Sequence, residues 1–451
     1  MSDHAPQHVI IVGAGLAGAL LACALGRAGY RVSVYERRGD PRIKGFVGGR
    51  SINLALSTRG LAALKELGLD EVVLADAVRM PGRMIHDRQG RTVFQPYSRD
   101  PGDAINSVSR GGLNLTLLSA AAECANVALY FGHRCLDIDP AGPTVVFHDE
   151  ATGREATASG DFVIGADGAF SAVRGWMQKT DRFDFSQSYL AHGYKELSIP
   201  PRPDGGLVGG FAMEPNALHI WPRGGSMMIA LPNRDGSFTC TLFWPFEGEH
   251  GFSAIRSRAD IRPFFERHYP DAAPLMPTLE EDYERNPTSS LVTVRCAPWH
   301  AGDRIVLVGD AAHAIVPFFG QGMNAAFEDC SLLVRLLREH PRDRASAFER
   351  YFHERKPNAD AIADLALENF IEMRDRTASR AFRARKKLEH LLHGLFPGWY
   401  TPLYNMVSFS TIPYARARAR ARTQWRVVGA VGAVMALGLL AGLVAVLRYL
   451  P

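Results

Sequence analysis

With 451 residues, of which 47% are hydrophobic and 22% charged, the chain has the composition of a globular protein larger than one small domain. Six of its 51 basic residues and none of its 47 acidic residues lie in 415–451, so the net charge of +4 belongs to the C-terminal tail. The near-neutral remainder gives no reason to expect nucleic-acid binding. The six cysteines are scattered without a CxxC spacing, which argues against a disulfide framework and predicts no metal site.

The N-terminal segment predicts a βαβ unit. His8–Val12 is a short apolar strand, an apolar helix runs to about residue 29, and Arg31–Tyr35 alternates as a second strand. The turn Gly13-Ala-Gly-Leu-Ala-Gly18 joins the first strand to the helix, and Glu36 follows the second strand.

Gly13, Gly15 and Gly18 fit the GxGxxG fingerprint of a dinucleotide site. The first glycine permits the tight turn, the second lets the backbone approach a pyrophosphate, and the third allows the helix to pack closely on the strand. Glu36 lies where a carboxylate accepts hydrogen bonds from ribose hydroxyls. A glycine-rich turn of any α/β protein is the alternative, but the strand, helix and acid together favour a dinucleotide with free ribose hydroxyls.

The rest of the chain predicts a second, strand-rich region and a helical end. Residues 50–130 alternate helical and loop patterns, and Phe162–Ile164 is another short strand. Three strand-like runs predict an antiparallel sheet, at Ala217–Trp221, Ser226–Leu231 and Ser237–Trp244. The pattern then predicts one strand followed by helices, at Arg304–Val308, Gly322–His340 and 343–395.

The C-terminal apolar run predicts a transmembrane helix. Val427–Leu447 carries no charge in 21 residues, which is enough for the ~20 residues that span a bilayer core. Arginines precede it, so the body is expected to face the cytoplasm and the tail to favour anionic lipid. A buried core helix is the alternative. Gly438 and Gly442 form a GxxxG spacing that would allow a homodimer.

Two further motifs indicate which dinucleotide is bound. Gly165-Ala-Asp-Gly168 resembles the DG motif of the flavoprotein aromatic hydroxylases, and Arg304-Ile-Val-Leu-Val-Gly-Asp310 resembles their GD motif. Either motif alone is compatible with a structural turn. All three motifs in this order indicate FAD.

Longer strings narrow the resemblance to the kynurenine 3-monooxygenases. They cover most of the chain from residue 8 to about 410 and include GRSINLAL (49–56), GRM (82–84), HGYKE (192–196), NALHIWP (216–222) and PFFGQGMN (317–324). The resemblance implies an α/β fold with a Rossmann-type FAD-binding domain, an antiparallel-sheet substrate domain, C-terminal helices and one C-terminal transmembrane helix. We place the FAD-binding domain at 1–185 and 290–345, the substrate domain at 186–289, the helical region at 346–414 and the transmembrane helix at 427–447.

The resemblance also assigns residues to the cofactor. From the adenosine end towards the flavin, these are Glu36, Arg37, Arg38, Ala55, Arg110, Leu136, Asp310, Met323 and Asn324. Gly320 and Gly322 would let the backbone approach the flavin ring without a Cβ clash. The N–H groups at the start of the following helix would stabilise negative charge there.

For the substrate, the resemblance implies a carboxylate clamp and an apolar wall. Arg83 offers a planar guanidinium for bidentate contact and Tyr97 adds a hydroxyl, while Asn369 and Tyr404 would complete the pocket. The wall around the aromatic ring would consist of Leu218, Ile229, Leu231, Phe243, Pro317 and Phe318.

The implied reaction converts L-kynurenine to 3-hydroxy-L-kynurenine with NADPH and O2 through a C4a-hydroperoxyflavin, in tryptophan degradation or de novo NAD (quinolinate) biosynthesis. FAD would be bound tightly and non-covalently, with NADPH as co-substrate. The aryl amine activates the ring, so no acid or base is assigned, and His313 is interpreted as part of the GD turn.

One alternative is a hydroxylase for another aromatic acid. The other is a membrane-tethered FAD protein that binds ligands or carries electrons without oxygenating, against which the Arg83–Tyr97 clamp argues.

Overall fold

The computed structural model describes residues 6–44, 53–139, 141–202, 204, 206–372 and 380–449; residues 49–52 of the GRSINLAL string lie outside them. In chain order the strands are β1 (His8–Val12), β2 (Arg31–Glu36), β3 (Asn53–Leu56), β4 (Val78–Met80), β5 (Gly82–His86), β6 (Thr92–Pro96), β7 (Ile105–Ser109), β8 (Val127–Phe131), β9 (His133–Asp139), β10 (Thr144–Asp149), β11 (Arg154–Ser159), β12 (Phe162–Gly165), β13 (Asp184–Ile199), β14 (Leu218–Pro222), β15 (Met227–Pro232), β16 (Phe238–Pro245), β17 (Ser289–Ala297), β18 (His300–Ala301) and β19 (Ile305–Leu307). The α-helices are α1 (Leu16–Arg27), α2 (Pro41–Lys44), α3 (Thr58–Glu66), α4 (Asp70–Ala75), α5 (Arg110–Ala122), α6 (Ala172–Met177), α7 (Arg258–His268), α8 (Leu279–Arg285), α9 (Asp310–His313), α10 (Gly322–Glu339), α11 (Arg344–Ile371), α12 (Arg380–Leu395), α13 (Leu403–Ser408) and α14 (Tyr414–Tyr449).

A six-stranded sheet in the order β18-β19-β12-β1-β2-β8 forms the centre of the first region. β1 pairs in parallel with β2 and β12, and β12 pairs in parallel with β19. Val9–Val12 and Phe162–Gly165 are buried throughout, as expected for parallel strands covered on both faces. α1 packs against α5 and α10 beside this sheet. The predicted βαβ opening is confirmed.

A second, seven-stranded sheet has the order β17-β13-β16-β15-β14-β5-β6. Its pairs are antiparallel except that β14 and β5 run in parallel. Because side chains alternate along a strand, the two faces differ in their neighbours. Trp221, Leu242 and Trp244 pack on one face against α7 and α8. Phe243 lies on the other face, towards the C-terminal helices.

Two expected domain boundaries do not follow the sheets. We expected 1–185 and 290–345 to belong to the FAD-binding domain, yet β5, β6 and β17 pair within the second sheet, which is therefore mixed rather than wholly antiparallel. The helix-and-loop prediction for 50–130 is also wrong, since this stretch contains β3 to β7 and most of β8. These strands are short, and strand pairing with distant residues leaves little local pattern.

The arginine-rich stretch and the apolar run form one continuous helix, α14. Tyr414, Ala417 and Gln424 are buried against the body, whereas Val427 is 42% and Val434 70% exposed. The segment Tyr414–Gly442 has the length and apolarity of a membrane span, with a mean hydropathy of 1.7 in its most apolar window. The tail is thus a candidate span that begins inside the enzyme body.

A buried ionic junction ties the GD turn to α10 and α11. Asp329 is fully buried and accepts hydrogen bonds from Arg355 Nε (2.6 Å), His313 Nε2 (2.5 Å) and Gly309 N (3.2 Å). Burial acts to raise the pKa of Asp329, but the charges of His313 and Arg355 outweigh it and hold this pKa below its ordinary value. His313 is therefore engaged in holding the turn, in agreement with its structural interpretation.

We expect Asp329→Asn to lower the free energy of unfolding by about 3 kcal/mol, the low end of the range for breaking a buried ion pair, because it removes the fully buried carboxylate that faces Arg355 and His313 while Arg355 keeps its pair with Glu328. Since the pKa of Asp329 is lowered on folding, this contribution is present above about pH 4 and is lost as the pH falls through the folded value. Urea unfolding at pH 7 measures the loss. As a control, Glu354→Gln disrupts an exposed pair with Arg350 and is expected to change the stability by less than about 1 kcal/mol. Equal effects of the two variants would contradict the junction's importance.

Candidate active site

The turn after β1 has the geometry of a phosphate-binding turn. Gly13 has a φ of +100°, and a Cβ there would lie 2.6 Å from the carbonyl oxygen of Ala166. A Cβ on Gly18 would lie 1.9 Å from the carbonyl oxygen of Gly13. A Cβ on Gly15 would meet no atom of the described residues within 4 Å, which leaves room for a phosphate at the start of α1. The tight turn at Gly13, the open approach at Gly15 and the close packing at Gly18 are therefore as predicted.

Glu36 lies beside this turn, at the end of β2. Its two carboxylate oxygens accept hydrogen bonds from Ala14 N (2.9 Å) and Arg38 N (3.0 Å). Arg37 and Arg38 are exposed beside it. The carboxylate is thereby fixed next to the glycine turn, where ribose hydroxyls are bound in dinucleotide folds.

Asp310 follows β19, at the same edge of the first sheet as the glycine turn. Its side chain is open to solvent, yet the protein surrounds it closely enough for burial to raise its pKa, against the charges of Arg110 and His313. Arg110 is exposed at the N-terminus of α5. A recessed acid and a cation, aligned with the glycine turn by the parallel strands β1, β12 and β19, fit an elongated anionic cofactor such as FAD.

The loop before α10 approaches β3 closely. Gly320 has a φ of +66°, and a Cβ there would lie 2.9 Å from Ala55 Cβ. Asn324 is fully buried, and its Nδ2 donates to the carbonyl oxygens of Ala55 (2.9 Å) and Gly320 (2.8 Å). Its side chain therefore shapes the loop, and its backbone is what remains for a cofactor. Gly322 and Met323 are half-buried in the first turn of α10.

Leu136 was expected to line the cofactor as well. It lies on β9, in a three-stranded sheet with β10 and β11, and its apolar side chain is 40% exposed. Its cofactor contact stays a prediction.

The residues expected to hold the substrate carboxylate meet in one pocket, together with Phe319 and Asn369. The Cζ of Arg83 lies 5.2 Å from the ring centroid of Tyr97 and 4.8 Å from that of Tyr404. The Nε of Arg83 is buried and has no hydrogen-bond partner among the described residues. Burial raises the pKa of Tyr97 well above its ordinary value, so its hydroxyl stays neutral and can donate. The pocket offers several donors to an incoming carboxylate.

An apolar surface adjoins Arg83 because β5 pairs with β14. Leu218 is the register partner of Arg83, so both side chains stand on the same face of the sheet. Leu218, Ile229 and Tyr404 each pack against two apolar clusters, one containing Phe243 and Phe318 and the other containing Leu231.

The floor of the pocket comes from the turn before α10 and from α11. Phe318 stacks on Phe370 at 4.2 Å between ring centroids, and Asn369 Nδ2 donates to the carbonyl oxygen of Phe318 (2.6 Å). Pro317 lies in the same turn and is exposed. The structure thus brings the clamp residues into one pocket, and the predicted wall residues pack next to it without lining it, so that their contact with the substrate stays a prediction.

A second cavity of about 440 Å³ lies between β3, β7 and the β15–β16 turn. It is lined mainly by hydroxyl and amide side chains, and Asn53 Nδ2 donates there to Ser107 Oγ (3.1 Å) and Asn233 Oδ1 (2.6 Å). Because its polar groups bind one another, the Arg83 pocket is the better candidate for an aromatic acid.

Two acidic residues near the site escaped the sequence analysis. Glu389 on α12 lines the Arg83 pocket and is only 7% exposed. Glu196 lies on the same sheet face as Phe243, and burial raises its pKa to about 7 against the charge of Arg110. The HGYKE string contains Glu196 and was the one available signal; for Glu389 the sequence offers none.

We expect FAD affinity to fall as the pH rises from about 6 to 8, because the ionised Glu196 competes with the cofactor phosphates for Arg110. Glu196→Gln should abolish this dependence, as measured by titrating the apoprotein with FAD fluorescence. Glu249→Gln, an exposed acid in a turn, is the matched control and should behave as the parent. An unchanged pH profile in Glu196→Gln would exclude this role.

The comparisons with known proteins agree with this geometry. A family model, the FAD binding domain, matches residues 7–195 and 254–366. The kynurenine 3-monooxygenase of Myxococcus xanthus is 48% identical over 421 residues, covering 92% of this chain and 89% of the relative. That of Dictyostelium discoideum is 48% identical over 422 residues, covering 91% and 90%. A solved structure, the tetrameric form of 2-methyl-3-hydroxypyridine-5-carboxylic acid oxygenase, has 20% identity and a TM-score of 0.67 over 84% of this chain and 95% of its own, which shows the fold. The resemblance seen in the sequence is confirmed, and the chain belongs to the kynurenine 3-monooxygenase family of FAD-binding proteins.

Proposed function

We propose that this protein hydroxylates L-kynurenine to 3-hydroxy-L-kynurenine, with FAD as bound cofactor and NADPH and O2 as co-substrates. The observation that carries the proposal is the Arg83 guanidinium between Tyr97 and Tyr404, set beside an apolar wall. Relatives that are 48% identical and carry the kynurenine 3-monooxygenase name support the choice of substrate. Bound FAD would supply the redox chemistry, taking up hydride from NADPH and activating O2 for transfer of one oxygen atom to the ring.

The clamp orients the substrate through its carboxylate. The half-buried Arg83 has a buried Nε with no hydrogen-bond partner among the described residues, and its guanidinium offers charge-assisted hydrogen bonds to a carboxylate. The neutral hydroxyl of Tyr97 adds a donor. Tyr404 stacks on Tyr97 at 5.1 Å between centroids and fixes that ring. Holding the amino-acid end in this way sets which ring carbon faces the cofactor.

The apolar wall holds the ring and excludes water. Leu218, Ile229 and Phe318 present hydrocarbon surface to the pocket side of the sheet, and a dry pocket limits the loss of activated oxygen as hydrogen peroxide. The aryl amine of the substrate donates electrons to the ring, so no protein base is required. His313, the nearest candidate base in the GD turn, is bound to Asp329.

We also propose that α14 anchors the enzyme in a membrane with its body on the cytoplasmic side. The apolar part is exposed along its described length, and Arg416, Arg422 and Arg426 are exposed on the flank that precedes it. Anionic lipid headgroups would match this flank. Gly438 and Gly442 have no described neighbour within 4 Å of an added Cβ, which leaves a homodimer through this spacing as an alternative assembly.

A related hydroxylase for another aromatic acid is the competing function. The response of NADPH oxidation to L-kynurenine, measured in the parent and in Arg83→Ala, tests which substrate the clamp holds. We expect the L-kynurenine concentration that half-stimulates NADPH oxidation to rise roughly 10- to 100-fold, as removing a charged hydrogen-bonding partner costs about 1.5–3 kcal/mol. FAD content should stay unchanged, because Arg83 lies on the substrate sheet.

Arg91→Ala is the matched control, since Arg91 lies in the same hairpin, has a 78% exposed side chain and pairs with Asp87. It should leave kinetics unchanged. The decarboxylated analogue of kynurenine should bind parent and Arg83→Ala equally. Unaltered L-kynurenine affinity in Arg83→Ala would refute the clamp, and parent protein that ignores L-kynurenine would refute the substrate.

A chain that ends at Arg426 tests the anchor. It keeps the buried contacts of Tyr414, Ala417 and Gln424 and loses the exposed apolar segment. We expect the full chain to resist alkaline carbonate extraction from membranes and the shortened chain to be released into the supernatant with its FAD. Carbonate-resistant binding of the shortened chain would show that α14 is not the anchor.

A further inference from the structure

α12 exposes leucines along one side. Leu388, Leu391 and Leu395, spaced three and four residues apart, are 38%, 51% and 61% exposed. Phe396 (54% exposed) and Trp399 (42% exposed) extend the same surface past the end of the helix. We name these five residues the α12 stripe.

The stripe departs from the usual burial pattern of a surface helix, since Leu388, Leu391 and Leu395 are exposed and the remaining leucine of α12, Leu392, is half-buried. A helix on a soluble body buries its leucines and exposes its charges, yet Glu389, in the middle of α12, is only 7% exposed and lines the Arg83 pocket. Contiguous exposed apolar surface of this kind marks an interaction site.

The stripe lies where α14 leaves the enzyme body. Gln424 Nε2 donates to the carbonyl oxygen of Trp399 (2.7 Å), and Arg385 Cζ lies 4.4 Å from the ring centroid of Trp425. Gln424 is the last fully buried side chain described on α14, and Val427 is already exposed. With a rise of about 1.5 Å per residue, the apolar part of α14 begins within roughly 5 Å of Gln424 along its axis.

The charges around the stripe match an anionic surface. Residues 380–399 contain five arginines and lysines and one acidic residue, and Lys387 is exposed. Arg422 and Arg426 are exposed on the neighbouring helix. An apolar stripe flanked by basic residues is the pattern of a helix that lies in the headgroup region of a bilayer.

We propose that the α12 stripe is a second membrane contact, which seats the enzyme body on an anionic bilayer surface beside the point where α14 enters it. The proposal rests on the membrane anchorage by α14 inferred above. The α12 stripe, which is separate from α14, would bind lipid reversibly. Because α12 contributes Glu389 to the lining of the Arg83 pocket, the helix that rests on the membrane also forms part of that pocket.

The test uses the chain that ends at Arg426, which retains all the buried contacts described for α14. It is floated with vesicles of equal parts phosphatidylcholine and phosphatidylglycerol, and with vesicles of phosphatidylcholine alone. We expect binding to the anionic vesicles that high salt weakens, and little binding to the neutral ones. The double variant Leu391→Gln/Leu395→Gln should bind the anionic vesicles with an affinity lowered at least roughly ten-fold, because the apolar area that it would bury at the interface is lost.

The matched control is Val72→Gln/Leu74→Gln on α4, whose side chains are 53% and 38% exposed. It should bind as the parent does, and all forms should keep their FAD. Absence of parent binding, or undiminished binding by the α12 double variant, would overturn the proposal. So would a parent that dimerises without lipid through the stripe and ignores vesicles, as shown by sedimentation. Carbonate extraction of the full chain reports on α14 alone, so failure of the anchor and failure of the stripe are distinguishable.

Discussion

The parallel pairing of β5 with β14 is the contact on which the candidate site depends. It sets Arg83 beside Leu218 on one face of the second sheet, so that a cation and an apolar wall share one surface. The opposite face of that sheet is filled by tryptophans and leucines packed on α7 and α8, which holds the strands rigidly. A substrate that is charged at one end and aromatic at the other fits such a surface. Phe319 lines the same pocket and belongs to the loop from Pro317 to Gly322, where we expect the cofactor to approach the substrate.

α13 and the start of α14 pack against the body of the enzyme. Arg59 on α3 is buried, donates to the carbonyl oxygen of Val407 (2.7 Å) and to Glu328 (2.6 Å), and lies 4.0 Å from the ring centroid of Tyr414. Tyr414 in turn donates to Gln321 Oε1 (2.9 Å), which lies between Gly320 and Gly322 in the loop before α10. The first residue of α14 is therefore in contact with the loop before α10, and the far end of the same helix belongs to the candidate membrane span. One continuous helix therefore joins the candidate membrane span to residues packed on the loop before α10.

What the sequence predicted well is local. The fingerprint glycines, Glu36 and the strands around them follow from steric rules that act within a few residues, and the structure places each as expected. The membership of β5 in the second sheet was missed, because its partner β14 lies far along the chain and Gly82–His86 has no strong alternating pattern. Asn369 and Tyr404 were found by resemblance alone, since a helix gives no sign of which side chain will face a distant pocket. Glu389 was missed for the same reason, and only the fold shows that it is buried.

The central claim is that one oxygen atom of O2 enters the aromatic ring of L-kynurenine. It is tested most directly by turning over the detergent-solubilised full chain with NADPH and L-kynurenine under ¹⁸O2 and analysing the product by mass spectrometry and by comparison with authentic 3-hydroxy-L-kynurenine. The account predicts a single product that carries one ¹⁸O atom and matches the standard. Consumption of NADPH that yields only hydrogen peroxide with unchanged L-kynurenine would contradict the proposed substrate. A hydroxylated product without ¹⁸O, whose new oxygen atom then comes from water, would contradict the proposed reaction.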